Sequence, residues 1–242
     1  MTISHQIFTL SLHMLQTGHA CISTKLLLRR QRNHAQEVDK LVEWCDQNSL
    51  DLNVGKTKEM ITDFRRGEKE TEPLVIGGEE VAQVQEYKYL GCIISSDLSW
   101  SKHIAKVVSK CNSRLYFLRK LKQFKVCHEI LEMLYRASIE SVLTFNLMVW
   151  YYGATVEDKS HLARVIRQAE KVVGVQFPSL DELVHKRTAT KARKVVEDES
   201  HPLHDQFALM PSRRRYRAAK CRTSRMRKSF IPSAISVLNG TT

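Results

Sequence analysis

Hydrophobic spacing separates an early stretch of mixed period from a longer helical stretch that begins near residue 101. From His34 onward, Val38, Leu41, Val42 and Cys45 recur at three and four residues, which predicts one apolar helix face with Trp44 beside it. Asn48, Asn53 and Gly55 break that pattern. Residues 58–64 (KEMITDF) read as a short strand, with Met60, Thr62 and Phe64 alternating against Glu59, Ile61 and Asp63. Residues 74–76 and 80–85 flank Gly77-Gly78, a pair suited to closing a hairpin. Residues 87–94 are apolar almost throughout and predict a strand buried on both faces, after which 97–101 turn the chain.

Beyond Lys102 the period is helical. Ile104, Val107, Val108, Cys111, Leu115, Leu118 and Leu121 form one stripe, and a second helix is predicted over about 129–149. A third opens at Thr155-x-x-Asp158, carries Leu162, Val165, Ile166, Ala169 and Val173, and stops at Gly174. A fourth opens at Ser179-x-x-Glu182, a capping box just after Pro178, and runs towards Val196. The fold class expected is α+β: a small antiparallel strand and hairpin segment, then a helical bundle, then a basic, partly disordered tail. The boundaries expected are an ill-defined lead over 1–33, the α/β segment over 34–100, the bundle over 101–198 and the tail over 199–242. There is no internal repeat.

Composition sharpens this picture. The 242 residues are 43% apolar, enough for a sizeable core, and carry a net charge of +12, which favours polyanionic partners. The six cysteines are scattered without a C-x-x-C pair, and three of them, Cys45, Cys92 and Cys111, fall on apolar faces. That usage predicts reduced thiols and an intracellular protein, cytoplasmic or nuclear. No run approaches the roughly 18 apolar residues of a membrane span, so no membrane partner is expected.

The charge is unevenly placed. No acidic residue stands between Asp97 and Glu129, while Lys102, Lys106, Lys110 and Arg114 repeat every fourth position and Arg119, Lys120, Lys122 and Lys125 follow. Like charges at that spacing weaken a helix. A row kept despite that cost suits a phosphate backbone, RNA or DNA, whose counterions the lysines displace. The competing reading is a solvated outer face. Arg213, Arg214, Arg215 and Arg217 open a second acid-free run that continues to Lys228, suited to nucleic acid or to a nuclear import signal.

Catalytic patterns are sparse. The sequence has no Asp-Asp pair, no Gly-rich phosphate loop, no H-E-x-x-H, and no histidine with an aspartate two positions on. His128-Glu129 reads as surface, and the loop pair His201 and His204 lacks further ligands. No metal site and no cofactor are predicted from these residues.

Several strings resemble one family in order along the chain. W-C-x-x-N-x-L-x-L-N-x-x-K-T from Trp44 to Thr57, F-R-R from Phe64, Y-L-G from Tyr89 and D-L-S-W from Asp97 are similar to the end of the reverse transcriptase of non-LTR, LINE-type retrotransposons. So are R-L-Y-F-L-R from Arg114, Y-R-A-S-I-E-S-V-L from Tyr135, A-E-K-V-V-G from Ala169 and the closing H-P-L-H and L-M-P-S-R-R-R-Y-R strings. The resemblance implies that Lys56 lies near an incoming triphosphate and that Tyr89, Leu90 and Gly91 form a primer-grip turn. It also implies that the helices from Lys102 form a thumb on the template–primer duplex. The aspartates that hold two magnesium ions in the family would precede Glu37, where residues 21–32 contain no acid. The expectation is thus a truncated palm-and-thumb fragment without catalytic residues, retaining sequence-independent nucleic-acid binding. A second expectation is a decayed copy without function. In addition, residues 63–103 resemble the domain named for the amino terminus of AlkB homologue eight. That would imply a 2-oxoglutarate dioxygenase or tRNA methyltransferase relative, although no iron- or S-adenosylmethionine-binding pattern accompanies it.

Overall fold

The computed structural model describes residues 26–29, 34–62 and 73–240, and the chain divides into two units, 1–99 and 100–242. Expectations that rest on 1–25, 30–33 and 63–72, including the F-R-R string and the missing aspartate turn, lie outside the described residues.

In the first unit, strand β1 (Leu26–Arg29) leads into helix α1 (His34–Gln47), which buries Val38 and Cys45 as the spacing predicts. Asn53 caps a short 3-10 turn, Val54–Lys56, by accepting the Lys56 amide at 2.9 Å. Strand β2 (Lys58–Ile61) then pairs in parallel with β1, Leu26 facing Lys58 and Arg29 facing Ile61. Such a pairing needs a crossover, and α1 supplies it. On its other side β2 pairs in parallel with β5 (Ala82–Gln83). Because β2 is central, both Glu59 and Met60 are fully buried, which corrects the alternating exposure expected of 58–64. Gln83 Nε2 donates to Glu59 Oε2 at 3.1 Å.

Gly77 and Gly78, at φ 60° and 84°, close the hairpin of β3 (Val75–Ile76) and β4 (Glu79–Glu80). Both central residues of such a turn need positive φ, which glycine adopts without steric cost. The apolar run 87–94 is a second hairpin rather than one doubly buried strand. β6 (Glu86–Tyr89) pairs antiparallel with β7 (Cys92–Ser95) across Leu90-Gly91, at φ 44° and 85°. Val38, Leu74, Ile76 and Val81 form a core cluster, with Val42, Leu52 and Val54 packed against it. The fold is α+β, with antiparallel hairpins before a helical bundle, and a small parallel sheet is added to what was expected.

The second unit opens with α2 (Ser101–Gln123), which buries Ile104, Val107, Cys111, Leu115 and Leu118. The second helix expected over 129–149 is interrupted. α3 (His128–Leu134) widens into a π-helix over Tyr135–Glu140, resumes as α4 (Ser141–Leu143), and breaks at Asn146, whose φ is 48°. α5 (Leu147–Trp150) and a 3-10 turn, Tyr151–Gly153, follow. α6 (Val156–Val173) opens at Thr155 as expected, and a full capping box forms there, Thr155 accepting the Asp158 amide while Asp158 accepts the Thr155 amide. It ends at Gly174 with φ 89°. α7 (Leu180–Glu197) is capped by Ser179, whose hydroxyl accepts the Glu182 amide at 3.2 Å, one half of the capping box expected there.

The basic segment after 199 carries more order than its composition predicts. A short α8 (Ser224–Arg227) precedes α9 (Phe230–Leu238), and α9 packs on α7. Ala192, Val195, Phe207, Ala234 and Ile235 form a buried cluster there. No helix among the described residues is long and apolar enough to cross a membrane.

Candidate nucleic-acid interface

The long helix α2 is fixed at its start by rings and a carboxylate. Trp100 precedes it and lies so close to Gly153 that a Cβ there would come within 2.7 Å of Trp100 Cδ1, so only glycine fits. His103 is buried edge-on between Trp100 and Trp150, with ring centroids 6.0 and 5.5 Å away. Burial, and secondarily Lys110, holds its pKa below the ordinary 6.5, so the ring is neutral at pH 7. Asp158 joins two helix starts: its Oδ2 accepts the Ser101 hydroxyl at 2.8 Å and the Thr155 hydroxyl at 2.7 Å.

The apolar stripe of α2 faces α6, leaving the opposite side to solvent. Each four-residue step turns a helix by about 40°, so a row at that spacing drifts round the axis. Lys102, Lys106 and Lys110 remain exposed. Arg114 has drifted about 120° from Lys102 and is half-buried, its guanidinium donating to the Ser138 carbonyl in the π-helix. Arg119 lies on another side and donates to Gln168 Oε1 at 3.1 Å. The single four-residue rail expected from 102 to 125 is therefore split. Lys120 returns to the azimuth of Lys102 and places its Nζ 5.8 Å from the Tyr116 ring centroid. No carboxylate pairs with Lys106 or Lys110 among the described residues, and an open groove of about 450 Å³ between α2 and α6 is lined by Ser109, Asn112, Asp158 and His161 among others.

The same strip carries aromatic rings that charge counting overlooks. Tyr116 and Phe117 are 54% and 62% exposed and Phe124 is 77% exposed. Their signal was present in the sequence, because the buried stripe takes Leu115 and Leu118 and leaves Tyr116 and Phe117 off it.

The arginines beyond 212 are held on a folded arm. Leu209 and Tyr216 form an antiparallel bridge, and Met210 N donates to Arg215 O at 2.9 Å. The Asn239 side chain grips both the N–H and the carbonyl of Tyr216, at 2.8 and 3.0 Å, tying the arm to the end of α9. Arg213, Arg214, Arg215 and Arg217 are exposed on it, Arg213 at φ 53°.

In the first unit, Leu90 and Gly91 form the β6–β7 turn, with Leu90 71% exposed, and Lys56 ends the 3-10 turn, exposed. Among the described residues no three His, Cys, Asp or Glu side chains gather as a metal site. His128 faces its neighbour Glu129 at 3.4 Å, and His201 Nδ1 accepts the Leu203 amide at 3.1 Å. The donor set for an iron of the dioxygenase kind is not assembled by these residues.

A family model described as alkylated DNA repair protein alkB homolog 8, N-terminal, matches residues 100–141. The matched segment comprises α2, α3 and the π-helix. The resemblance expected over 63–103 thus lies further along the chain and shares only 100–103 with that range. No curated protein and no solved structure matches the chain, and none of the comparisons points to a reverse transcriptase.

Proposed function

We propose that the second unit is a non-catalytic nucleic-acid-binding module that holds phosphate backbones on the exposed strip of α2. The observation that carries this reading is the row Lys102, Lys106 and Lys110, continued by Lys120, on a helix with no acidic residue. A step of four residues rises about 6 Å along a helix. The phosphates of a duplex strand rise about 3.4 Å each along the duplex axis, so a row of this length can face several of them. Three like charges at i,i+4 spacing cost roughly 0.2–0.5 kcal/mol per pair, which a bound polyanion reverses. The matched segment contains this row, and the matched description speaks of alkylated DNA repair, a nucleic-acid context. The resemblance is one of segment, and no dioxygenase or methyltransferase step is assigned to this chain. Arg213, Arg214, Arg215 and Arg217 add a second cationic contact on their arm.

Binding titrations across salt test the reading. For duplex DNA, log K should fall against log salt with a slope of about −3 to −4 from the strip alone. Changing Lys102, Lys106 and Lys110 together to Gln should weaken every base sequence alike and remove about 3 from that slope. Unchanged affinity in the triple variant, or a flat salt response, would sink it.

A second reading, the palm end and thumb of a reverse transcriptase, draws on one observation: Tyr89, Leu90 and Gly91 stand at a two-residue hairpin turn, where a primer grip would place them. On that reading Lys56 approaches a triphosphate, and the chain prefers a primer–template junction to blunt duplex. Equal affinity for the two would remove it.

A further inference from the structure

We propose that the last two turns of α2 are a stacking platform for unpaired bases, so that a nucleic acid on the lysine strip is single-stranded at that end. The inference rests on the proposed binding function and deepens it. Lys102, Lys106 and Lys110 share an azimuthal band with Phe117 and Lys120, Phe124 follows at the C-cap of α2, and Tyr116 flanks that band. From Lys102 to Phe124 the strip runs about 33 Å, cationic at its start and aromatic at its end. Tyr116 and Phe117 meet edge to face, centroids 5.6 Å apart and planes at 77°, so their faces point in different directions rather than covering each other.

Three exposed rings within nine residues expose apolar surface that a partner would bury. The cations decide which partner. Lys120 stands among the rings, Arg119, Lys122 and Lys125 lie close in sequence, and no carboxylate lies between Asp97 and Glu129. A second copy of this chain would bring the same cations against one another. An apolar protein surface would have to desolvate Lys120 without a counter-charge. A single strand offers both matches at once, phosphates to Lys120 and base faces to the rings. A fully paired duplex offers only the phosphates, because its bases are already stacked.

The test is fluorescence anisotropy of the full chain with a labelled oligo-dT and with a blunt duplex of equal length, at one salt concentration. The variant is Phe117→Ala with Phe124→Ala; both rings are exposed, and circular dichroism checks that the fold is kept. Oligo-dT affinity should fall at least about fivefold for each ring removed while duplex affinity holds within twofold. An equal loss on both ligands, or no loss on oligo-dT, would overturn the platform while leaving the lysine strip standing. If the wild-type chain bound neither ligand, the binding function itself would fail and the platform with it. Sedimentation adds a further check: a wild-type dimer that the ring variant turns into a monomer would assign the rings to contact between copies and overturn the inference.

Discussion

At the scale of single residues, the second unit depends on polar groups placed where two helices start. Asp158 is buried, and its Oδ2 accepts from Ser101, from the Thr155 hydroxyl and from the Thr155 amide at 3.2 Å. Hydrogen bonds to a charged group each contribute about 1.5–3 kcal/mol, and loss of a helix cap costs about 1. Asp158→Ala should therefore destabilise by about 2–4 kcal/mol in urea unfolding, and Ser101→Ala by clearly less, since it frees only one of three donors. His103 gives a pH signature. Its folded pKa lies below 6.5, so between the two values the unfolded chain holds more protons. Stability should be full above about pH 6.5, fall as pH drops towards the lowered value, and level off below it. His103→Phe should flatten that part of a denaturation-versus-pH curve.

At the scale of elements, what the sequence revealed and what it hid follow from which interactions are local. The capping box at Thr155, the stop at Gly174 and the Ser179 start are local chemistry, and each stands where its motif predicts. Gly174 has open space around its Cβ position, so Gly174→Ala tests backbone conformation alone. A loss of about 1 kcal/mol should appear as a lower melting temperature. The 87–94 run misled because Leu90 is apolar yet adopts positive φ, a conformation no hydrophobic pattern reports. The lysine row misled in part because tertiary packing, not spacing, decided that Arg114 turns inward to the Ser138 carbonyl. Strand β1 was unreadable because parallel pairing with β2 joins residues some thirty positions apart.

At the scale of the molecule, the basic end is a structural part of the second unit. Its arginines dominate the composition and conceal Ile231, Ala234, Ile235 and Leu238, spaced as one helix face. That face closes over Ala192 and Val195 of α7, with Phe207 completing the cluster. Ending the chain after Asp198 should expose α7 and cost at least about 3 kcal/mol, because burying a Phe or Ile side chain contributes roughly 1.5–3 kcal/mol. The loss would be read as an earlier, broader unfolding transition. The same cut would remove Arg213, Arg214, Arg215 and Arg217, the second cationic contact of the proposed binding function.

The wide turns at Tyr135–Glu140 carry a different kind of consequence. A π-helix holds one more residue than the α-helix that would span the same length. It is bounded by fixed points, Tyr135 stacked on Phe177 at 3.8 Å and Leu143 fully buried, and between them Ala137 is exposed. Losing Ala137 would let an ordinary helix join the same two anchors, whereas losing a residue from the middle of α6 would rotate every later side chain by about 100°. In this one stretch, a change of chain length is absorbed locally rather than passed on.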